Sequence, residues 1–428
     1  MMTSKRNRFD GSTRFLSSEL AMLADDLAGA CDTGIEFLPT VGRVTVILDS
    51  DGPRVDCGSR DGLWVWNTES RSLSPTAAYC KVRRACRRAV HPGTRVVVKK
   101  TDSAFRGPFG REIAAVMDEL QLPLCSVVPA IPAFGRVTRH GVQYIDGVPI
   151  AESFYRHDPK HPVTESQVAR IVAADVSRRI GVFTLDMLRS PEAPQHLERL
   201  LVAGVQILVV DGESQADIER SVTLLLQRPG RLLFIGGQGL GNALATHCLP
   251  TAAQDAWTPI PQGGIVAVCG TLHPQTRQQI QFAARQYSVD PAVLQVDADG
   301  QLLGREADAE DAAIRVLRQL DRCGVAFLAS PEVPVADPSR VEATLAQAIE
   351  KLHGRARLSA LILTGGATAY TVCSRLGITQ LELRQRIRSG VVLTQVPELS
   401  GLAIGMKGGS LGDVDAISTM IDAIQALP

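Results

Sequence analysis

The feature that most constrains this chain is a rhythm. Short β-branched runs alternate with stretches of helical spacing along nearly its whole length. Val44–Leu48, Val96–Lys99, Leu124–Val128, Gly181–Thr184 and Val205–Val210 read as strands, and Pro75–Val90, Arg111–Leu120, Pro191–Ala203 and Gln215–Gln227 as helices between or after them. Strands alternating with helices of this length predict βαβ units and a parallel sheet. The stretch Pro129–Pro162, rich in Pro, Gly, His and Arg, interrupts the rhythm and predicts an excursion over the sheet edge, with Val142–Ile145 as a short strand. A second break, LPTAAQDAWTPIPQGG at Leu249–Gly264, clusters Pro and Gly as a linker does. Beyond it strands are expected at Ile265–Cys269, Val325–Ala329, Leu361–Thr364, Val391–Thr394 and Gly401–Met406. Helices are expected at Pro274–Gln286, Asp308–Arg322, Ser339–Leu352 and Thr368–Leu376. The expected fold class is α/β with two domains, each a mostly parallel sheet flanked by helices. They span residues 19–248 and 265–428, joined by a linker at 249–264 and preceded by a disordered or over-long tail at 1–18.

Composition narrows the function classes. With 45 Lys and Arg against 45 Asp and Glu, the chain has no basic excess, so nucleic-acid binding lacks electrostatic support. No apolar run is long enough to span a bilayer, and the polar, basic opening MMTSKRNRFDGSTRF lacks the apolar core of a secretory signal. The nine cysteines include no CxxC pair, which suits reduced thiols and a cytoplasmic location. A homodimer is the assembly to test.

Ligands of α/β proteins bind at the C-terminal ends of the strands. Two segments there concentrate polar chemistry: ADDLAGACDTG (Ala24–Gly34) and KKTDSAFRGPFG (Lys99–Gly110). Acids, hydroxyls, Lys and Arg at two such ends suggest a site for a small polyhydroxylated anion. Asp25 and Asp26, if extended, point to opposite sides, so only one is expected to face the ligand; the plainer reading is that one caps the helix beginning near Leu27, and a ligand-facing role for at least one is preferred. Lys100 offers a point charge and Arg106 a bidentate fork. Thr101, Asp102 and Ser103 lie between them, and NTESR (Asn67–Arg71) adds Arg71. His157 and His161 have metal-like spacing, but Pro159 and Pro162 favour a solvated loop, and no metal-ligand set is assigned. Cys31 reads as a small packing residue.

The C-terminal half offers three glycine- and hydroxyl-bearing loops after strands: CGTLHPQT (Cys269–Thr276), TGGATA (Thr364–Ala369) and MKGGSLGD (Met406–Asp413). Backbone N–H groups at such helix starts can cradle phosphate. Their convergence would make one nucleotide site from Thr271, His273, Gly365, Gly366, Ala367, Thr368, Lys407, Gly408 and Gly409. GGQGLG (Gly236–Gly241) is a weak dinucleotide near-miss, because Asn242 stands where the last glycine belongs. There is no Walker A segment.

These motifs, in this order from about Leu20 onward, resemble the four-carbon acid sugar kinase family. The resemblance rests on Ala24–Ala30, Ser70–Arg71, Lys100–Pro108, Pro129–Arg136, Asp146–Pro149, Cys269–Thr276, Gly365–Ala369 and Lys407–Gly412. It implies ATP-dependent phosphorylation of the terminal hydroxyl of threonate, erythronate or 3-oxo-tetronate, with Mg²⁺ offsetting the phosphate charge. It also implies a ligand site in the interdomain cleft. Asp25, Asp26, Arg71, Lys100, Thr101, Asp102, Ser103 and Arg106 would hold the acid, with Asp26 or Asp102 orienting the attacking hydroxyl or accepting its proton. Departures from the family pattern fall at Ala28 and Ala367, which lack the usual Thr and acid, and at His273 and Ser410–Leu411. They motivate an alternative: a catalytically impaired sugar-acid or nucleotide-binding sensor.

Overall fold

The computed structural model describes residues 13–52, 62–158, 160–251, 256–297, 301–302, 305–333, 335, 337–409 and 411–427. Residues 1–12 of the expected tail, 252–255 of the linker, Pro159 and Ser410 lie outside this set. The chain divides into two compact units, one of residues 1–44 and 49–254, the other of residues 45–48 and 255–428.

In the first unit seven strands form a parallel sheet in the order Leu63–Asn67, Leu20–Ala24, Val96–Lys100, Leu232–Gly236, Cys125–Val128, Ile207–Val210, Ile180–Phe183. The central strands are buried on both faces, as their near-continuous Val, Ile and Leu runs require. From Leu20–Ala24 the chain moves first to Leu63–Asn67 on one side and then to Val96–Lys100 on the other. The strand order therefore reverses at this pair, the position where α/β sheets open a crevice for ligand. The Pro- and Gly-rich excursion carries a three-stranded antiparallel sheet, Arg136–Arg139, Val142–Ile145 and Val148–Pro149. Residues 13–18, expected as tail, belong to the fold: Phe15 is buried and pairs with Cys248.

In the second unit the strands Ala292–Val293, Val325–Ala329, Gly264–Cys269, Leu358–Thr364 and Leu402–Lys407 run parallel in that order. The sheet continues antiparallel through Val391–Val396 and Gln380–Arg388. Beside Gln380–Arg388 lies Val44–Ile47, and the Leu48 N–H donates to the Thr379 carbonyl at 3.0 Å. This strand, expected in the N-terminal domain, thus groups with the C-terminal sheet. Its VTVI sequence is buried throughout. The core of this unit gathers Ile265, Ala267, Phe327 and Ile362 from the sheet with Ile280, Ile417 and Met420 from the helices.

Candidate functional site

Both expected segments of the first unit meet at the strand reversal. The strand Leu20–Ala24 ends one residue before Asp25, and the helix Leu27–Gly34 begins one residue after Asp26. The alternation of an extended chain stops there, so both carboxylates turn the same way. This corrects the expectation that only one would face the site. Lys100 Nζ lies 3.0 Å from Asp25 Oδ1 and 2.6 Å from Asp26 Oδ1. Arg71 places Nε 2.8 Å from Asp25 Oδ2 and Nη2 2.6 Å from Asp26 Oδ1. Asp26 also caps the helix, accepting from the Gly29 N–H.

Two glycines make the close approach feasible. A Cβ on Gly29 would coincide with the Lys100 ammonium, and one on Gly107, at φ +88°, would sit 2.5 Å from the Arg71 carbonyl. Burial alone would raise the Asp25 carboxyl, but Arg71 and Lys100 outweigh it and hold it well below its usual range. Burial opposes the charge on Lys100 and Arg71 in turn, and the two aspartates reverse that and raise both.

A second layer fixes this cluster. Consecutive residues of a strand point to opposite faces, so Lys99 leaves the site and pairs with Glu112 at 2.9 Å, both side chains being almost fully buried. Glu112 also accepts from Ser70 Oγ, which contacts Thr68 Oγ1 at 2.7 Å, and Thr68 in turn donates to the Ala24 carbonyl. The loop bearing Arg71 is thereby tied to the strand bearing the aspartates.

Asp102 and Arg106 form a bidentate pair, Nε to Oδ2 at 2.7 Å and Nη2 to Oδ1 at 3.1 Å. Arg106 also reaches Asp158 at 3.1 Å and stacks over the Tyr155 ring at 5.0 Å. Against the cost of burial, Arg106 and Arg71 keep the Asp102 carboxyl well below its normal range. Ser103 Oγ accepts from Arg136 Nη1 at 2.6 Å, and the Thr101 N–H donates to the Gly236 carbonyl. The structure thus brings Asp25, Asp26, Arg71 and Lys100 into one cluster. Asp102, Ser103 and Arg106 sit beside it, held by internal partners.

Two carboxylates at this site carried no assignment from the sequence. Glu69 adopts φ +42° and contacts Asn67 Nδ2 at 3.1 Å, and burial with the nearby Asp26 charge pushes its carboxyl up to about 8. Asp32 lies on the helix that follows Asp26, and burial pushes it up to about 7. Its signal was available in the helical spacing, since Gly29 and Asp32 are three residues apart and share a face.

In the second unit the three loops converge as expected. The Gly365 N–H donates to the Lys407 carbonyl at 3.0 Å, and Thr276 Oγ1 donates to the Gly409 carbonyl. A Cβ on Gly270 would strike Thr368 Oγ1, and one on Gly409 would lie 3.0 Å from Thr271 Oγ1. Gly365 has φ +91° and precedes the helix Gly366–Arg375. Within this ring Lys407 is 1% exposed, and its Nζ donates to Thr276 Oγ1 at 3.2 Å. No carboxylate pairs with it among the described residues, and burial lowers it to about 8. An ammonium buried beside a threonine hydroxyl could pair with an anion without displacing a carboxylate.

A model of a sugar-binding N-terminal domain matches residues 20–244, and one of a nucleotide-binding C-terminal domain matches residues 266–417. The chain belongs to the four-carbon acid sugar kinase family. It is 27% identical over 434 residues to a D-threonate kinase of Salmonella typhimurium, covering 95% of this chain and 97% of that one. It is 26% identical to a D-erythronate kinase of Heliobacterium modesticaldum, at the same coverage. A 3-oxo-tetronate kinase of S. typhimurium is 28% identical over 92% of this chain and 96% of its own. Among solved structures, an S. typhimurium LT2 protein described as a candidate tRNA synthase superposes with TM-score 0.76 at 25% identity, covering 96% of this chain and 99% of that one. A Haemophilus influenzae protein superposes with TM-score 0.67 at 21% identity, over 94% and 99%, and shows the same fold.

The departures from the family pattern have local accounts. His273 stands where the family places a hydroxyl, and it takes over helix capping: its Nδ1 accepts from the Gln275 N–H at 3.3 Å, while Thr271 Oγ1 accepts from the His273 N–H. Ala28 and Ala367 each sit within the first turn of a helix, where alanine preserves the backbone. The GGQGLG near-miss is a packing turn. A Cβ on Gly236 would meet the Val128 carbonyl at 2.3 Å and one on Gly239 the Ala130 carbonyl at 2.6 Å, while Gln238 and Asn242 donate to Glu36. His157 ends a short turn, and His161 contacts Ser72 Oγ at 3.3 Å. Cys31 is fully buried.

Proposed function

We propose that the protein transfers the γ-phosphate of ATP to the terminal hydroxyl of a four-carbon sugar acid, with threonate, erythronate and 3-oxo-tetronate as the acids to try. The observation that supports this most is the pairing of chemistry with matched domain. The sugar-binding half presents Asp25, Asp26, Arg71 and Lys100 at its strand reversal. The nucleotide-binding half presents a buried Lys407 among glycine loops, with no carboxylate paired to it among the described residues.

In this reading Arg71 and Lys100 exchange part of their pairing with the aspartates for the acid's carboxylate and hydroxyls. Arg106, Thr101 and Ser103 shape the same pocket wall. Asp26 or Asp102 orients the attacking hydroxyl; the low pKa of Asp102 suits orientation better than proton storage. Thr271, His273, Gly365, Gly366, Ala367, Thr368, Gly408 and Gly409 offer backbone and hydroxyl donors to the triphosphate, and Lys407 offers its charge. Phosphoryl transfer demands chiefly positioning and electrostatics, so this sparse set is enough.

Among the described residues no group of three His, Cys, Asp or Glu side chains could hold a metal. Mg²⁺ therefore fits as a companion of the phosphate oxygens rather than in an all-protein cage, and when bound it neutralises phosphate charge. Among the described residues no helix is long and apolar enough to cross a membrane, and the described cysteines form no disulfide; a cytoplasmic setting is part of this reading. A homodimer is tested by light scattering.

The experiment is ADP release from Mg-ATP with each acid and stereoisomer, the product mass being confirmed. A 4-phosphorylated acid is the expected product. ADP release that ignores every acid would overturn the reading.

A further inference from the structure

One carboxylate oxygen beside the cluster lacks a partner. Asp32 is only 9% exposed, and its Oδ1 accepts no hydrogen bond. A buried acceptor left unpaired costs free energy, so such groups persist where something else completes them. Its position says what that is. Asp32 lies three residues beyond Gly29, on the helix face over which the Lys100 ammonium rests.

The charged groups that act on Asp32 are Asp26 and Glu36 from its own helix and the turn after it, Lys100 from the strand Val96–Lys100, and Arg136 from the strand Arg136–Arg139. The helix Gln238–Ala245, which packs on the Asp32 helix, contributes only the neutral amides of Gln238 and Asn242, and both are spent on Glu36. An ionised carboxylate has no proton to donate, so the acid's own carboxylate cannot complete Asp32. A neutral hydroxyl that donates is the ligand group this carboxylate can accept without new repulsion.

We propose that Asp32 is a specificity-determining residue that accepts a hydrogen bond from a secondary hydroxyl, at C2 or C3, of the four-carbon acid. This rests on the kinase reading and names the feature of the substrate that the pocket inspects. A site that hydrogen-bonds a hydroxyl discriminates strongly against the analogue lacking it, because its own group is then left unpaired. A hydroxyl donates best to the ionised carboxylate, and in the free protein the carboxyl sits at about 7, raised by burial. Acid binding therefore tightens as pH rises from 6 to 8.

The test compares wild type with Asp32→Ala and Asp32→Asn on the parent acid and on its 2-deoxy and 3-deoxy analogues, all of which keep the terminal hydroxyl. Asp32→Ala is expected to lower kcat/KM about 30-fold on the parent and on one analogue, and to leave the other analogue within about threefold of wild type. Asp32→Asn, which keeps the shape, should lose the fall of KM between pH 6 and pH 8. Equal losses on all three acids, or none, would overturn the proposal, as would an unchanged pH profile in Asp32→Asn. If wild type phosphorylates none of the acids, the kinase reading has failed. Equilibrium binding of the same three acids then decides on Asp32: lost discrimination supports the assignment and parallel weakening refutes it.

Discussion

The two loop clusters solve opposite problems. In the first unit charges are abundant and already paired: two aspartates share one lysine and one arginine, and Asp102 is clasped by Arg106. In the second unit one cation, Lys407, is buried with a threonine hydroxyl for company and with no carboxylate among the described residues. The first arrangement, the Asp32 oxygen beside it apart, is already paired before ligand arrives, so its ligand must exchange partners and match geometry. The second is unsatisfied, so its ligand supplies the missing charge. Fine discrimination suits the first; strong, undiscriminating grip on phosphate suits the second.

The largest test of this contrast is to strip the first cluster of a cation. Arg71→Ala leaves Asp25 and Asp26 under-compensated and should cut kcat/KM for the acid about 10³-fold while KM for ATP stays within about twofold. Asp102→Asn should behave alike, having lost the clasp that sets Arg106. Steady-state kinetics with each substrate varied check both; a lost grip on ATP would break the contrast.

Next comes the layer beneath. Glu112→Leu strands the Lys99 ammonium in the core and should cost about 3 kcal/mol of stability, measured by the urea midpoint. The double variant Lys99→Met/Glu112→Leu should recover most of it. If the double variant is no better than the single, the buried pair is not what holds the loop.

In the nucleotide loops, Gly366→Val puts a branched side chain at the helix start where phosphate must approach, and should weaken ATP binding about 30-fold with little change for the acid. Unchanged ATP affinity would remove this loop from the site.

The smallest effect is a pH response. Burial lowers Lys407 to about 8, below its unfolded value, so the ammonium that attracts phosphate is lost as pH rises through 8. ATP affinity should fall by about tenfold between pH 7.5 and pH 9, and Lys407→Arg should flatten that fall. The same depression makes Lys407 favour the folded state more as pH rises from about 8 towards its unfolded value, so weaker ATP binding at pH 9 cannot be charged to its unfolding.

Much of the fold was legible because its strands are continuous apolar runs and its helices carry clear starts and stops. Pro274–Gln286 and Val325–Ala329 stand where the sequence places them. Gln380–Arg388 escaped notice for a physical reason: its register shifts break the two-residue alternation, and its charged side chains mask the buried Leu381 and Leu383. Helix Gln238–Ala245 was hidden by its glycines, which serve close packing. At the site, residue types and order pointed to Asp25, Asp26, Arg71 and Lys100, yet nothing along the chain tells that both aspartates share one lysine. That depends on where a strand stops. Nor does sequence distinguish Asp32, with an unpaired oxygen, from Asp102, fully engaged.

The central claim is a division of labour between the two halves, and calorimetric titration tests it most directly. Wild type, Arg71→Ala and Gly366→Val are each titrated with the preferred four-carbon acid and with a non-hydrolysable ATP analogue. Arg71→Ala should lose the acid and keep the nucleotide, while Gly366→Val should do the reverse. If either variant lost the opposite ligand, or both ligands together while remaining folded, the assignment of acid to the first cluster and nucleotide to the second would be contradicted.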